Sequence, residues 1–374
     1  MAKTILNRNN TKQNTPARRR QSRPTGKTGK PVTRWVTEGA RRLLVLENSL
    51  MRVSVWPEMG GAITSHIDRE SGIDIMWRNP YGQPPRNRVI DQPMANGSDL
   101  HDVMDGSWYV SLPTGFFACD YFGAPIGTHG ELRCLPWEVV QIRSGVNELQ
   151  VTLIGKSVRT PLVYRRDLIV RRGSPRLCWR ETVENRSAMT LPVAWLQHPT
   201  FGGPLLEGAK LITPAKTVKV FKPDNPKGIQ LKSGYSGQWP FVPERVGGKM
   251  RDCSIVLPAG SGKDHSVQLT DFDAGWGCVW NEQRGLGFAM EWDNGLFPYA
   301  WSWNSGGGVE QYPLWGEGPL ITLQPSTSPV GRFADLVKSG TVLQILGRGA
   351  VTTEMTTGFV RSAQGPWETK ETQS

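Results

Sequence analysis

Three runs of residues constrain the fold more than anything else in the chain. Leu149–Gly155, Leu162–Arg171 and Arg176–Asn185 are strand-like, and the connector Arg172-Gly173-Ser174-Pro175 can only turn. Three adjacent strands of this length joined by short turns make an antiparallel meander, one wall of a sheet sandwich. Leu43–Glu47 and Met51–Trp56 repeat the pattern as a hairpin across Asn48-Ser49, the second run alternating apolar and polar residues with period two. With 42 Gly, 28 Pro and few helix-like segments, the chain reads as all-β. One helical turn is expected at Phe333–Val337 and a late strand at Val342–Leu346. Pro223–Lys249, rich in Gly, Pro and Lys, reads as a long loop beside a cleft.

Two histidine motifs carry the chemistry. Thr128-His129-Gly130-Glu131-Leu132-Arg133 is followed by Leu135-Pro136-Trp137-Glu138, and about seventy residues later comes Trp195-Leu196-Gln197-His198-Pro199-Thr200-Phe201. Of five histidines, these two have the most aromatic and turn-marked surroundings. Imidazole is the side chain best suited to give and recover a proton near neutral pH, so the pair points to an acid–base site. The competing reading for either alone is a satisfied core or turn histidine.

The ordered set of motifs resembles the galactose mutarotase-like superfamily, in its aldose 1-epimerase branch. Gly115-Phe116-Phe117-Ala118-Cys119-Asp120-Tyr121-Phe122-Gly123 leads into His129-Gly130-Glu131-Leu132-Arg133 and Trp137-Glu138. Glu181–Arg186 and His198-Pro199-Thr200-Phe201 follow, then Glu291-Trp292-Asp293 and Phe297–Trp301. The resemblance spans roughly Val36 to Phe359. It implies an antiparallel β-super-sandwich of the galactose mutarotase type with a sugar in a concave cleft. It also implies interconversion of anomers through the open-chain aldehyde, with no metal or cofactor. His198 would then deliver a proton to the ring oxygen and His129 would poise the sugar. Arg133 and Asp293 would bind hydroxyls, while Phe201, Trp292, Trp301 and Trp303 would offer stacking faces. For Arg133 the alternative is an exposed strand arginine, and for Asp293 a turn cap.

One departure stands against these matches. The family's general base is a glutamate in a strand reading roughly Leu-Glu-Pro, and here Leu323-Gln324-Pro325 occupies that stretch. An amide orients hydroxyls but has no useful basicity. Glu131, Glu310 and Glu317 are the candidate replacements, Glu131 because a strand would point it to the same side as His129. The alternative is a carbohydrate-binding protein that has lost the base, and a lyase or glycosidase is more remote. A sugar phosphate fits less well, since Leu112-Pro113-Thr114 stands where the phosphate-binding arginine would be. Arg86 and Arg88 are the residues able to compensate.

Charge divides the chain. Ten of the 44 Lys and Arg fall in residues 1–34, which lack Asp and Glu, leaving a body with 34 basic and 33 acidic residues. Residues 1–34 read as a disordered basic tail, 35–360 as the sandwich domain and 361–374 as a polar C-terminal tail. Nucleic acid is expected as a partner only through the basic tail, and otherwise a monosaccharide or sugar derivative. No apolar run is long enough to span a membrane, and no apolar signal core is visible. Five scattered cysteines without a Cys-x-x-Cys pair argue against structural zinc and fit free thiols in the cytoplasm.

Overall fold

The structure, a computed structural model, describes residues 29–39, 41–81, 106–221, 231–363 and 365. Its two main sheets pack face to face. The larger has 12 strands and runs in the order Val32–Glu38, Arg41–Glu47, Met51–Trp56, Ala62–Asp68, Trp108–Ser111, Leu196–Phe201, Leu320–Thr322, Tyr299–Ser305, Asp264–Phe272, Ala215–Lys219, Ser236–Gln238. Gln324–Ser326 pairs with both Leu196–Phe201 and Tyr299–Ser305. The smaller has eight strands: Lys210–Ile212, Trp276–Asn281, Leu286–Trp292, Ala350–Val360, Arg176–Asn185, Leu162–Arg171, Glu148–Lys156 and Glu138–Ser144. All pairings within the two sheets are antiparallel. The fold is the expected all-β sandwich, and the predicted meander forms one wall.

Alternation explains the layering. Leu149, Val151 and Leu153 point inward from one strand of the small sheet, and Val53 and Val55 from one of the large sheet. Trp108 of the large sheet meets Trp179 of the small one edge to face, centroids 4.9 Å apart. Phe201 and Phe288 close the same gap at 5.4 Å. The hairpin at Asn48 is locked by its own side chain, whose Oδ1 accepts the N–H groups of Leu50 and Met51.

Inside this apolar layer lies a buried polar chain. Arg166 Nε donates to Glu181 at 2.7 Å, Gln197 Nε2 donates to the same carboxylate, and Trp108 Nε1 donates to Gln197 at 3.0 Å. Arg166, Glu181 and Gln197 are fully buried. Arg166 also donates to the Gly61 carbonyl and lies over the Trp137 ring.

Several local expectations resolve differently. The first strand begins at Val32, within the stretch read as tail; residues 1–28 lie outside the described residues, as do Arg86, Arg88 and 366–374. Of the expected loop Pro223–Lys249, residues 223–230 lie outside the described residues, and 231–249 contains the short strands Ser236–Gln238 and Phe241–Pro243. The helical turn is a short helix over Phe333–Lys338, and the late strand is Leu343–Ile345. Among the described residues, no helix is long and apolar enough to cross a membrane.

Candidate functional site

The outward face of the large sheet carries the site. Along Leu196–Phe201, Gln197 and Phe201 point into the core, so His198 points the other way. Its partner across the ladder is Tyr109, which faces outward because Trp108 and Val110 face inward. The two rings stack, centroids 4.4 Å apart and planes within 17°. Trp301 and Trp303 project from Tyr299–Ser305, Ser266 from the next strand, and Gln324 from beside Trp301. Together with His129, Phe116, Val309, Tyr312, Pro313 and Leu314 they line a cavity of about 320 Å³.

His129 reaches the cavity from a turn and not from a strand. Its φ is +63° and that of Gly130 is +74°. A Cβ on Gly130 would sit 1.8 Å from the Leu112 carbonyl oxygen, so only glycine passes there. The turn brings His129 edge-on to His198, centroids 4.8 Å apart, and Nδ1 of His129 lies 3.1 Å from the Gly115 carbonyl. A carbonyl only accepts, so Nδ1 carries the proton in this arrangement.

Burial sets the electrostatics. Desolvation, and secondarily the positive charge of Arg133, push His198 down to about 3, so its imidazole is neutral at physiological pH. Its Nδ1 is buried and has no hydrogen-bond partner in the structure. Gln324 donates from Nε2 to Thr322 Oγ1 at 2.8 Å, while its Oε1 is also buried without a partner. Two buried polar atoms without partners in one wall are what a ligand's hydroxyls, which both donate and accept, would satisfy.

Of the residues singled out from sequence, His129, His198, Gln324 and Trp301 converge on this cavity, as does Trp303. Arg133 sits behind it in a short 3-10 helix, its guanidinium 4.5 Å over the Tyr109 ring. Phe201 lies in the inter-sheet core, three residues from His198 and hence on the opposite face. Trp292 is also core, its Nε1 donating to the Phe297 carbonyl. Asp293 caps a turn by accepting from the Gly295 and Leu296 N–H groups, away from the cavity lining. Glu131 does not share a face with His129, because the segment turns. Its buried carboxylate accepts the N–H groups of Val158 and Arg159 instead. Glu310 is exposed, and Glu317 accepts from the Tyr81 hydroxyl.

Sequence reasoning missed Tyr109, Ser266 and Asp264. Asp264 shares the outward face of its strand with Ser266 and accepts a hydrogen bond from Trp303. Burial raises its carboxyl above its ordinary value despite that bond. The alternation Asp264, Ser266, Gln268 against His265, Val267, Leu269 was the available signal. Among the described residues, no group of three or more His, Cys, Asp and Glu is placed to hold a metal.

A two-sheet antiparallel sandwich with its cavity on one outward sheet face is the galactose mutarotase-like fold, and comparison with solved structures bears this out. A candidate aldose 1-epimerase from Klebsiella pneumoniae subsp. pneumoniae superposes with a TM-score of 0.67 over 88% of this chain and 83% of its own, at 14% identity. A galactose mutarotase-like protein from Clostridium acetobutylicum gives 0.60 over 88% and 99%, at 11% identity. A galactose mutarotase related enzyme from Lactobacillus acidophilus gives 0.57 over 85% and 97%, at 14% identity. At these identities the likeness is one of fold. Residues 37–252 match the family described as domain of unknown function DUF4432, and the chain belongs to that family. No curated protein matches its sequence.

Proposed function

We propose that this protein binds the ring form of a neutral aldose in the cavity and interconverts its anomers, as an aldose 1-epimerase does. The observation that carries the reading is the contact of His129 with His198 beside two buried polar atoms without partners, His198 Nδ1 and Gln324 Oε1. The aromatic rings of Phe116, Trp301 and Trp303 suit the C–H faces of a pyranose. No Lys, Arg, Asp or Glu lines the wall, which favours an uncharged ligand.

Ring opening requires a proton taken from the anomeric hydroxyl and one supplied to the ring oxygen. His198, whose imidazole is neutral, accepts the first on the ring nitrogen that carries no proton. Asp264 stands outside the lining, two residues from Ser266 on the same strand face, and supplies the second by way of the Ser266 hydroxyl, which does line the cavity. The C–O bond breaks as the carbonyl forms, rotation about C1–C2 exposes the other face, and the same two transfers run backward on closure. This assigns His198 the opposite direction of transfer from the one implied by family resemblance. Gln324 and His129 hold hydroxyls in place.

A second reading, sugar binding without turnover, is favoured by Gln324 itself, an amide where the family has its base. Exchange NMR of anomeric protons separates the two, using wild type, His198→Ala, Asp264→Asn and Gln324→Glu on a panel of free aldoses. Exchange in wild type that disappears in His198→Ala and Asp264→Asn is expected. Binding without exchange in wild type, with exchange gained in Gln324→Glu, establishes the second reading. Exchange undiminished in both His198→Ala and Asp264→Asn overturns the assignment of roles.

A further inference from the structure

The cavity wall continues outward into a surface built for something more. The loop from Gly306 to Gly318 gives the cavity Val309, Tyr312, Pro313 and Leu314. Immediately beyond them Trp315 stands 57% exposed, and Tyr312 itself is 46% exposed. Their rings meet edge to face at 6.2 Å, so one aromatic surface runs from inside the cavity to its rim.

This loop is held in place. The N–H groups of Leu314 and Trp315 both donate to the Gln311 carbonyl, and that of Gly316 donates to Val309. Asn79 Nδ2 donates to the Pro313 carbonyl, and the Tyr81 hydroxyl donates to Glu317 at 3.0 Å. Trp315 has φ +50°, a left-handed conformation costly for a bulky side chain. A strained backbone that presents a tryptophan to solvent, in a loop otherwise well bonded, is a feature of binding surfaces. Two residues beyond Trp315, Glu317 accepts from the Tyr81 hydroxyl, an exposed pair of a phenol and a carboxylate. An aromatic face with a polar edge matches a pyranose, which has C–H faces to stack and hydroxyls to bond.

We infer that Trp315, with Tyr312 and the Tyr81–Glu317 pair, forms a second sugar subsite. The ligand is a neutral saccharide of at least two rings, its reducing ring in the cavity and the next ring against Trp315. This rests on the cavity's being a sugar site, as proposed above.

Calorimetric titration of the full chain tests it, with glucose against maltose and cellobiose, and galactose against lactose. At least one disaccharide is expected to bind about tenfold more tightly than its monosaccharide. Trp315→Gly relieves the left-handed strain, so its melting temperature should equal or exceed that of wild type. In this variant the disaccharide falls to the affinity of the monosaccharide, whose own affinity is unchanged. Equal affinities for every pair in wild type, or equal losses for both members in Trp315→Gly, overturn the second subsite and leave the cavity reading standing. Binding of neither class overturns both.

Discussion

Replacing Glu181 by Gln isolates the cost of an orphaned charge in the sandwich core. The carboxylate accepts from Arg166 at 2.7 Å and from Gln197, and none of the three is reached by water. The variant preserves volume but leaves the guanidinium without its counter-charge. Removing one partner of a buried pair costs about 3–5 kcal/mol, because the remaining ion stays desolvated. With a urea dependence of about 3 kcal/mol per molar, the upper end for small proteins, the unfolding midpoint should drop by roughly 1–1.7 M. Removing both charges in Arg166→Met/Glu181→Met should recover most of that loss. Recovery should stop about 1–3 kcal/mol short, since the Gly61 carbonyl loses its donor and Gln197 its acceptor. Equilibrium urea unfolding followed by tryptophan fluorescence measures all three, Trp108 and Trp179 lying beside the network. A single variant within about 0.3 M of wild type, or a double variant less stable than the single one, would refute the orphan-charge account.

Stability should also fall steeply in mild acid. His66 and His198 are held down to about 3 and His265 to about 4, each chiefly by burial. A base with a depressed folded pKa contributes stability that is complete above its unfolded value near 6.5 and is lost as pH falls toward the folded value. Around pH 5 the three together give a slope of about 4 kcal/mol per pH unit, to be measured by urea unfolding at pH 7, 6 and 5; a flat profile would show that these rings titrate normally. Gly130→Ala should leave the global unfolding midpoint lowered and abolish sugar binding, because the new methyl collides with the Leu112 carbonyl and the turn that aims His129 must move. Retained binding at wild-type affinity would mean that His129 is dispensable.

How much of this could be read from sequence follows from what each residue type reports. The runs Leu149–Gly155 and Met51–Trp56 announced strands that form as Glu148–Lys156 and Met51–Trp56. His198 was legible from its aromatic, turn-marked motif, and Trp301 through the resemblance carried by Phe297–Trp301. Strand alternation, applied across Leu196–Phe201, places Phe201 on the face opposite His198, so its inclusion as a stacking residue ignored available information. His129 was legible as a candidate but not as a geometry. The positive φ angles at His129 and Gly130 depend on the Leu112 carbonyl, which lies far away in sequence. Glu131 was misread for that reason, since a strand register was assumed where the chain turns. Tyr109 escaped because its role comes from its cross-strand partner His198, and pairing between distant segments leaves no local mark; Asp264 left only the alternation of its own strand.

The strand Leu196–Phe201 serves two masters, with Gln197 tied into the buried network and His198 open to the cavity. Any insertion or deletion there would exchange amide for imidazole and bury the wrong one, so variation in this strand is confined to substitution. The loop from Gly306 to Gly318 is under no such rule, since it joins strands at their ends and can change length without altering their register. The rim can therefore be altered in length while the floor keeps its register, which makes that loop the natural place for engineered diversification.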